Sequence, residues 1–238
     1  MSKEGDIDVS DFYGKLNVEL RALQKKYNYF VTLVENTDVS VDKGTKLAGL
    51  PVSAKDCICT KGVQSTGGSR ILEGYVPPFD ATVIARAKKE GGVLVGKTVQ
   101  DEFGFGTFST NSAYGIPKNP HDASRSCGGS SGGAGGLTAA LEMPHVAFGQ
   151  STGGSISCPS SFCGVVGLTP TYGRVSRYGL IDYANSLDKI GTIGKCVDDV
   201  RLLYDVASGY DPLDQTSIKD DDKRDGKFDM KGLKFGIP

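Results

Sequence analysis

The chain has 238 residues, of which 38% are hydrophobic and 23% charged, and its formal net charge is −1. That length is enough for one large domain or two small ones, and the composition is ordinary for a globular protein with a sizeable core. Because positive and negative charges nearly balance, the sequence excludes the strongly basic surface that drives sequence-independent binding of nucleic acids. Any RNA contact is therefore expected to lie mainly on a partner.

The six cysteines lie in apolar or glycine-rich surroundings. They are Cys57, Cys59, Cys127, Cys158, Cys163 and Cys196. Cys57 and Cys59 have neither a second cysteine pair nor a histidine close by in sequence, so we expect buried thiols rather than a metal site. The chain opens without the basic and apolar segments of a secretory leader, and no run approaches the roughly 18 to 20 apolar residues of a membrane span. These features predict reduced thiols, a cytoplasmic location, no metal and no membrane partner.

The first predicted elements are a helix and two extended stretches. An amphipathic helix is predicted over about residues 9–28, with Ser10 as its N-cap. Its apolar positions follow helical spacing and are Phe12, Leu16, Leu20, Leu23 and Tyr27. Residues 29–34 are β-branched and aromatic and predict a strand. A second, mostly apolar extended stretch at residues 47–59 carries a single lysine, Lys55.

The middle of the chain predicts an alternation of strands and helices. A helix is predicted over residues 81–90, capped by Asp80 and followed by Gly91 at its C′ position. A short buried strand follows at residues 93–95. The order strand, helix, strand indicates an α/β fold. Residues 103–114 form an aromatic, small-residue loop that either lines a pocket or packs on the surface.

The second half of the chain continues the same alternation. Residues 137–141 predict the body of a helix, residues 145–148 a strand, and residues 197–207 another helix. Residues 211–227 are acidic and polar and predict a solvated linker or surface excursion. Residues 233–238 have the pattern of a strand, so we expect a fold that is incomplete at its C-terminus.

Two glycine-dense segments that also contain serines, residues 128–133 and 149–155, stand out from the rest of the sequence. Glycine loses more backbone freedom on folding than any other residue, so such segments indicate that something must approach the backbone closely. A third segment, residues 91–98, matches the bare phosphate-loop pattern, but the predicted strand inside it argues against that site. Ser151 lies in a G-x-S-x-G string, yet no histidine follows it, which argues against a hydrolase nucleophile elbow.

A serine nucleophile needs a base, and the histidines of this chain, His121 and His145, do not suit that role. A lysine can serve instead if burial makes it neutral, because desolvation lowers a lysine pKa by up to roughly 3–5 units. Lys55 has the most buried-looking surroundings of the lysines. The alternative, which spacing alone favours, is that Lys55 pairs with Asp56 or reaches solvent at the end of a strand.

Six segments taken together form a specific pattern, including GGSSGG at residues 128–133 and STGGSIS at residues 151–157. The segments are residues 26–29, 49–56, 101–104, 128–133, 151–157 and 158–180. From about residue 20 to the end, the chain resembles the amidase signature family, and within it the glutaminase subunits of tRNA-dependent amidotransferases. The resemblance implies an α/β amidase-signature fold, a mixed twisted sheet flanked by helices. It also implies one domain over residues 1–238, with its catalytic part at about residues 29–210.

The resemblance assigns a role to each residue of a Ser–cis-Ser–Lys triad. Ser155 corresponds to the nucleophile, Ser130 to the bridging serine after a cis peptide bond, and Lys55 to the base. Ser131 supports the relay by hydrogen bonding, and Gly129 precedes the cis bond. The oxyanion hole corresponds to the N–H groups of Thr152, Gly153, Gly154 and Ser155.

The resemblance also implies a reaction and its partners. Glutamine is hydrolysed through an acyl-enzyme, and the ammonia passes to a partner that amidates glutamyl-tRNA(Gln) or aspartyl-tRNA(Asn). This chain is expected to bind no cofactor, because ATP and magnesium belong to the partner. The expected partners are the B subunit and a small C subunit of such an amidotransferase, with misacylated tRNA held mainly by the partner. The alternatives are a stand-alone amidase acting on small amides and a non-catalytic fragment of the family.

The chain departs from the family pattern in charge and length. Many family members have Asp where Ser151 stands and Arg where Ser157 stands, and both charges are missing here, as expected of an ion pair that can be deleted together but not singly. The family is also roughly twice this length by domain-size reckoning. The second half is expected to supply substrate-binding residues and part of the sheet.

Overall fold

A six-stranded mixed sheet runs through residues 8–219, the part of the chain that this computed structural model describes. The helices are α1 (Val9–Tyr27), α2 (Thr82–Lys89), α3 (Gly132–Ala140), α4 (Ser157–Cys163) and α5 (Val197–Ala207). The strands are β1 (Phe30–Leu33), β2 (Pro51–Lys55), β3 (Val93–Thr98), β4 (Val146–Ser151), β5 (Val166–Leu168) and β6 (Lys189–Gly194). Short 3-10 turns lie at Arg70–Leu72 and Glu102–Gly104. The predicted α/β class, a mixed sheet flanked by helices, is confirmed.

Strand β2 lies inside the sheet, whose order is β1-β3-β2-β4-β6-β5. It runs parallel to β3 and β4, whereas β1, β6 and β5 pair antiparallel with their neighbours. All five residues of β2 are buried, as expected for a strand in the parallel part of a covered sheet. Because β2 and β4 point in the same direction, their C-terminal ends at Lys55 and Ser151 lie at the same edge of the sheet.

Side chains alternate between two cores on opposite faces of the sheet. On one face, Val52 of β2 packs with Ile84 of α2 and Leu203 of α5. On the other face, α1 and α3 pack against β3 in a second core that includes Leu137. Lys55 is an odd number of positions from Val52, so it faces the second side, towards α3.

Helix α3 approaches the sheet so closely that no side chain fits at Gly133. A Cβ atom there would lie 2.5 Å from the carbonyl oxygen of Tyr29 and 2.6 Å from the backbone nitrogen of Val99. The Gly133 N–H donates to the Val99 carbonyl at 3.0 Å, which joins the helix to the end of β3. This close approach places Ser131, directly before α3, at the edge of the sheet where Lys55 ends β2.

Two predicted helix caps are wrong. The cap of α1 is Asp8, whose carboxylate accepts from the N–H groups of Ser10 at 3.0 Å and Asp11 at 3.2 Å, so Ser10 lies inside the first turn. Helix α2 begins at Thr82 without a side-chain cap. Asp8 therefore takes the capping position predicted for Ser10, and the N–H groups of the first turn of α2 have no side-chain acceptor in the described part of the chain.

The Asp80 carboxylate, predicted to cap α2, has other partners. It accepts from the N–H of Lys61 at 2.8 Å and from the Lys88 ammonium at 2.9 Å. The salt bridge to Lys88, further along α2, draws the carboxylate away from the N–H groups of the first turn. Gly91 does adopt the positive φ of 80° that a residue beyond a helix end requires.

Strand β3 extends to Thr98, three residues beyond its predicted end, and this excludes a phosphate loop at residues 91–98. The Lys97 side chain is buried and donates to the Ile58 carbonyl at 2.5 Å and to Ser65 Oγ at 2.6 Å. Its ammonium is therefore occupied by protein oxygens inside the sheet. The predicted strand inside this segment is confirmed.

In the described part of the predicted solvated excursion, residues 211–219, most residues are exposed, but two aspartates are buried against the fold. Asp211 is buried, and its carboxylate accepts from Thr82 Oγ1 and Ser176 Oγ, each at 2.5 Å. Asp214 is also buried and accepts from the Arg177 N–H at 2.8 Å. Acidic composition was therefore misleading here, because these carboxylates are internal acceptors. The rest of the excursion and the predicted strand at residues 233–238 lie outside the described residues.

The remaining helices and strands are found near their predicted places, although α3 begins five residues before the predicted 137–141 and β4 ends three residues after the predicted 145–148. The predicted helix at residues 197–207 and α5 have the same bounds. Cys57 and Cys59 are buried free thiols, as predicted. Within residues 8–219, no helix has the length and apolar character that crossing a membrane requires.

The two glycines Gly133 and Gly14 should respond oppositely to a methyl group. Gly133→Ala should lower the free energy of unfolding by about 1–3 kcal/mol or more, because the new Cβ meets backbone atoms at 2.5–2.6 Å. Gly14→Ala, in the exposed interior of α1 with nothing within 4 Å, should raise it by about 0.5–1 kcal/mol. Urea unfolding followed by circular dichroism measures both changes, and equal stabilities would contradict the packing described for α3.

Candidate active site

Lys55 ends strand β2 with its amine buried among three oxygen atoms. The Nζ atom lies 2.7 Å from Ser130 Oγ, 3.0 Å from the Gln150 carbonyl oxygen and 2.8 Å from Gln150 Oε1. The side chain is 0% exposed. The structure therefore brings together the predicted base and the predicted bridging serine, which are 75 residues apart in sequence.

Burial lowers the pKa of Lys55 to about 8, while the nearby Cys57, Asp101 and Asp188 act in the opposite direction and raise it. With that pKa, about a tenth of the Lys55 amines are neutral at pH 7. Lys55 does not pair with Asp56, because its amine contacts Ser130 and Gln150, while Asp56 Oδ2 accepts from the N–H and hydroxyl of Thr66 and from the Gly68 N–H at 2.5–3.0 Å. The alternative that Lys55 is solvated or paired with Asp56 is therefore wrong.

Ser130 follows a cis peptide bond from Gly129, as the resemblance implies. A Cβ atom at Gly129 would lie 2.4 Å from Asp101 Oδ2 and 2.6 Å from the backbone nitrogen of Ser109. The Ser130 carbonyl accepts from the Asp101 N–H and from Ser109 Oγ, both at 3.3 Å. Asp101 and Ser109, which follow β3, thus hold the Ser130 backbone in place. They lie so close to position 129 that only glycine fits there.

Ser131 links the two glycine-dense segments. Its hydroxyl donates to the Gln150 carbonyl at 3.2 Å, and its N–H donates to the Ser155 carbonyl at 3.1 Å. Ser131 is completely buried. Ser131, predicted to support the relay by hydrogen bonding, therefore connects the end of β4 to the predicted nucleophile.

Ser155 lies just before α4, and its backbone carbonyl is joined to Ser131 at the same edge of the sheet. The residue is 8% exposed, the most accessible of the predicted triad. Within residues 8–219, no hydrogen bond joins Ser155 Oγ to Ser130 Oγ. The structure thus shows the Lys55–Ser130 contact, while the final contact of the triad stays a prediction.

The backbone of residues 152–155, which we term the nucleophile loop, has every carbonyl occupied. The carbonyl of Thr152 accepts from Lys189 Nζ at 2.9 Å and that of Gly153 from Ser151 Oγ at 2.9 Å. The carbonyl of Gly154 accepts from the Cys158 N–H at 2.7 Å and from Ser157 Oγ at 3.3 Å, and that of Ser155 from the Ser131 N–H at 3.1 Å. The four oxygens of the nucleophile loop therefore have fixed directions.

The N–H groups of the nucleophile loop have no hydrogen-bond acceptor among the residues that the structure describes. The carbonyl and the N–H of one trans peptide point in opposite directions, so fixing each carbonyl also fixes the N–H that follows it. Gly153 and Gly154 are exposed, so their N–H groups are accessible. Oriented donors without protein acceptors are what an oxyanion hole requires.

Ser151 and Ser157, the two positions at which the resemblance implies an Asp and an Arg, both contact the nucleophile loop. Each hydroxyl donates to a carbonyl of that loop, at 2.9 Å and 3.3 Å respectively. A neutral hydroxyl at each position avoids leaving one buried charge without its partner. Both serines thus hold the loop without a charge.

Sequence reasoning missed three residues of the site: Gln150, Asp188 and Lys189. Gln150 contacts Lys55 and donates from Nε2 to Asp188 Oδ1 at 2.6 Å, although it lies 38 residues from Asp188 in sequence. The sequence signal that could have pointed to Gln150 is a glutamine in a strand of otherwise apolar or small residues. No local spacing connects it to the other two.

The aromatic loop at residues 103–114 lies beside the site. Phe105 packs against Tyr183 with ring centroids 4.3 Å apart, and Phe108 lies 6.2 Å from Phe162. Both phenylalanines stay more than half exposed.

Within residues 8–219, no group of three or more His, Cys, Asp or Glu side chains is placed to hold a metal ion.

Covalent labelling of Ser155 by an amide-mimicking electrophile should depend on pH through Lys55. Lys55 accepts a proton only when neutral, so the labelling rate should fall about tenfold per pH unit below about pH 8 and level off above it. Lys55→Met should slow labelling and remove this dependence, whereas Lys97→Met, at another buried lysine, should keep it. A wild-type rate that is constant between pH 9 and pH 6 would contradict the assigned base.

The comparisons with known proteins cover nearly all of the chain. Residues 22–238 match the amidase family. Among curated relatives, the A subunit of glutamyl-tRNA(Gln) amidotransferase from Methanococcoides burtonii is 53% identical over 210 residues, which are 85% of this chain and 44% of the relative. The corresponding A subunit from Sulfolobus acidocaldarius is 43% identical over 247 residues, 99% of this chain and 52% of the relative. The chain spans about half the length of the curated relatives it matches.

Solved structures agree with the sequence comparison. The crystal structure of the A subunit of glutamyl-tRNA(Gln) amidotransferase from Thermotoga maritima superimposes with a TM-score of 0.85 at 42% identity, covering 90% of this chain and 47% of that one. A 6-aminohexanoate cyclic dimer hydrolase in complex with substrate superimposes with a TM-score of 0.79 at 29% identity, covering 90% and 46%. From its sequence, fold and similarity, the chain belongs to the amidase family.

Proposed function

We propose that this chain carries the glutaminase site of a tRNA-dependent amidotransferase, with Lys55 as base, Ser130 as relay and Ser155 as nucleophile. The observation that carries the proposal is the buried Lys55–Ser130 hydrogen bond of 2.7 Å beside a loop of unpaired N–H groups. A base, a relaying hydroxyl and an oxyanion hole are the components that serine-based amide hydrolysis requires. The similarity to proteins named as the A subunit of glutamyl-tRNA(Gln) amidotransferase supports glutamine as the amide.

The proposed reaction begins with proton transfer towards Lys55. The neutral amine accepts the Ser130 proton while Ser130 accepts the Ser155 proton, and Ser155 Oγ attacks the side-chain amide carbon of glutamine. The carbonyl oxygen becomes an oxyanion that the N–H groups of the nucleophile loop stabilise, and each such donor typically contributes about 2.7–4 kcal/mol. The transfer requires Ser130 Oγ and Ser155 Oγ to approach each other, and contacts of this kind commonly tighten when substrate binds.

The second half of the reaction returns the protons. The tetrahedral intermediate collapses, the C–N bond breaks, and the leaving nitrogen takes a proton back through Ser130 from Lys55. Water then gives up a proton along the same relay and attacks the acyl-enzyme, releasing glutamate and regenerating Ser155. The same residues therefore act as acid and base in turn.

The remaining components of the proposed function belong to other chains. Ammonia would pass to the B subunit, where ATP and magnesium activate misacylated glutamyl-tRNA(Gln) or aspartyl-tRNA(Asn), with a small C subunit in the same complex. This chain would bind no cofactor and work in the cytoplasm. The near-neutral charge supports this division, because it provides no strongly basic surface for tRNA.

A stand-alone amidase for small amides is the second candidate. It is favoured by the fact that every component of the candidate site, from Lys55 to the nucleophile loop, comes from this chain. Dependence on partners separates the two candidates. A glutaminase rate that rises on adding the B subunit, ATP and glutamyl-tRNA supports the amidotransferase function. A rate that does not change when they are added supports the stand-alone amidase.

Ser155→Ala in the natural chain, assayed with its partner subunits, should abolish ammonia release from glutamine. Ser130→Ala should reduce it almost as far, because the Ser155 proton then has no path to Lys55. Ser124→Ala, at an exposed loop serine, is the matched control and should retain the wild-type rate. Ammonia release measured by a coupled assay tests all three variants. An active Ser155→Ala protein would contradict the assignment of Ser155 as the nucleophile.

A further inference from the structure

Gln150 lies between the predicted base and a buried carboxylate. The side chain is 3% exposed, and Asp188 on its far side is 0% exposed. Gln150 Oε1 lies 2.8 Å from Lys55 Nζ, and Gln150 Nε2 lies 2.6 Å from Asp188 Oδ1. The Gln150 backbone carbonyl also accepts from Lys55, at 3.0 Å. One residue therefore supplies two of the three oxygens around the amine.

The hydrogen-bonding capacities of these groups determine which way each one points. A carboxylate only accepts, so the amide of Gln150 must present its NH₂ end to Asp188 and its oxygen to Lys55. A neutral amine has two N–H donors and one lone pair. Both Gln150 oxygens only accept, so they take the two N–H donors, and the lone pair remains for the hydroxyl of Ser130. Only that third neighbour can give a proton to Lys55.

The position of Asp188 is itself fixed by the backbone. Its Oδ2 accepts from the N–H groups of Tyr183 at 2.8 Å and Ala184 at 2.9 Å, which leaves Oδ1 for Gln150. The Gln150 carbonyl is held in addition by Ser131 Oγ at 3.2 Å. The glutamine is thus held at both of its polar ends.

The amide also separates two charges. Cys57, Asp101 and Asp188 are the acidic groups that act to raise the pKa of Lys55. A carboxylate in direct contact with a lysine favours the ammonium form, which cannot accept a proton. A neutral amide in the contact position gives Lys55 an acceptor without a second negative charge.

We propose that Gln150 is a positioning residue that directs the lone pair of Lys55 at Ser130, with Asp188 determining which end of the amide faces the lysine. This inference rests on the proposed function, because it concerns the same proton transfer. Both polar ends of the Gln150 side chain are already occupied, by Lys55 and by Asp188, so Gln150 acts on the reaction through Lys55. Its effect should therefore appear in kcat and in the pH profile, with little change in KM.

Two substitutions at Gln150 in the natural chain, assayed with its partner subunits, test this role. Gln150→Glu should move the pH midpoint of kcat up by about 1–3 units, because it brings a negative charge, alone or in a proton-sharing pair with Asp188, into direct contact with Lys55 and favours the ammonium form. At pH 7 the rate should fall at least about tenfold. Gln150→Met keeps the length but removes the acceptor, and kcat should fall about 10- to 100-fold without an upward shift of the midpoint.

Gln215→Glu and Gln215→Met make the same changes at an exposed glutamine and should retain the wild-type profile. If the wild type hydrolyses glutamine and both Gln150 variants keep its kcat and midpoint, the inference is overturned while the proposed function stands. If the wild type does not hydrolyse glutamine, the labelling rate of Ser155 reports the same pH shifts, and the expected shifts would support Gln150 alone. If Ser155 does not react at all, the triad fails and the inference fails with it.

Discussion

The site depends on the burial of one amine, that of Lys55. An ammonium is costly in a low-dielectric interior, so burial shifts the balance towards the neutral amine that can accept a proton. That burial follows from the place of β2 in the sheet, between two parallel neighbours and under helices on both faces. A lysine on an edge strand would reach water and stay charged.

Burial alone does not make a base, as comparison with Lys97 shows. Both lysines are 0% exposed, and burial lowers both pKa values. Asp56 is the strongest opposing influence on the pKa of Lys97, and contacts with Ile58 and Ser65 occupy the Lys97 amine within the sheet. Lys55 instead contacts a serine at the edge of the sheet, next to a loop that reaches the surface. The difference between a structural and a reactive lysine here lies in the neighbouring groups.

The two glycine-dense segments perform different physical tasks. Glycine at position 129 permits close approach to Asp101, which holds the backbone of Ser130 in place. In the nucleophile loop, exposed glycines leave room around N–H groups whose carbonyls are already fixed. Ser131 joins both segments through one backbone and one side-chain hydrogen bond. The proposed base, the proposed relay and the proposed oxyanion donors therefore form one connected unit.

The sequence by itself determined the local elements, and helix α5 (Val197–Ala207) matches its predicted bounds because helical spacing depends only on residues within a few turns. The motifs, through the family resemblance, predicted the triad, and the structure shows its contact between Lys55 and Ser130. The Asp80 cap was wrong because a lysine further along the helix competed for its carboxylate. Only the tertiary structure decided that Gln150 meets Lys55 and Asp188, since strand direction and register, not spacing in the sequence, bring the ends of β2 and β4 and the start of β6 to one edge of the sheet.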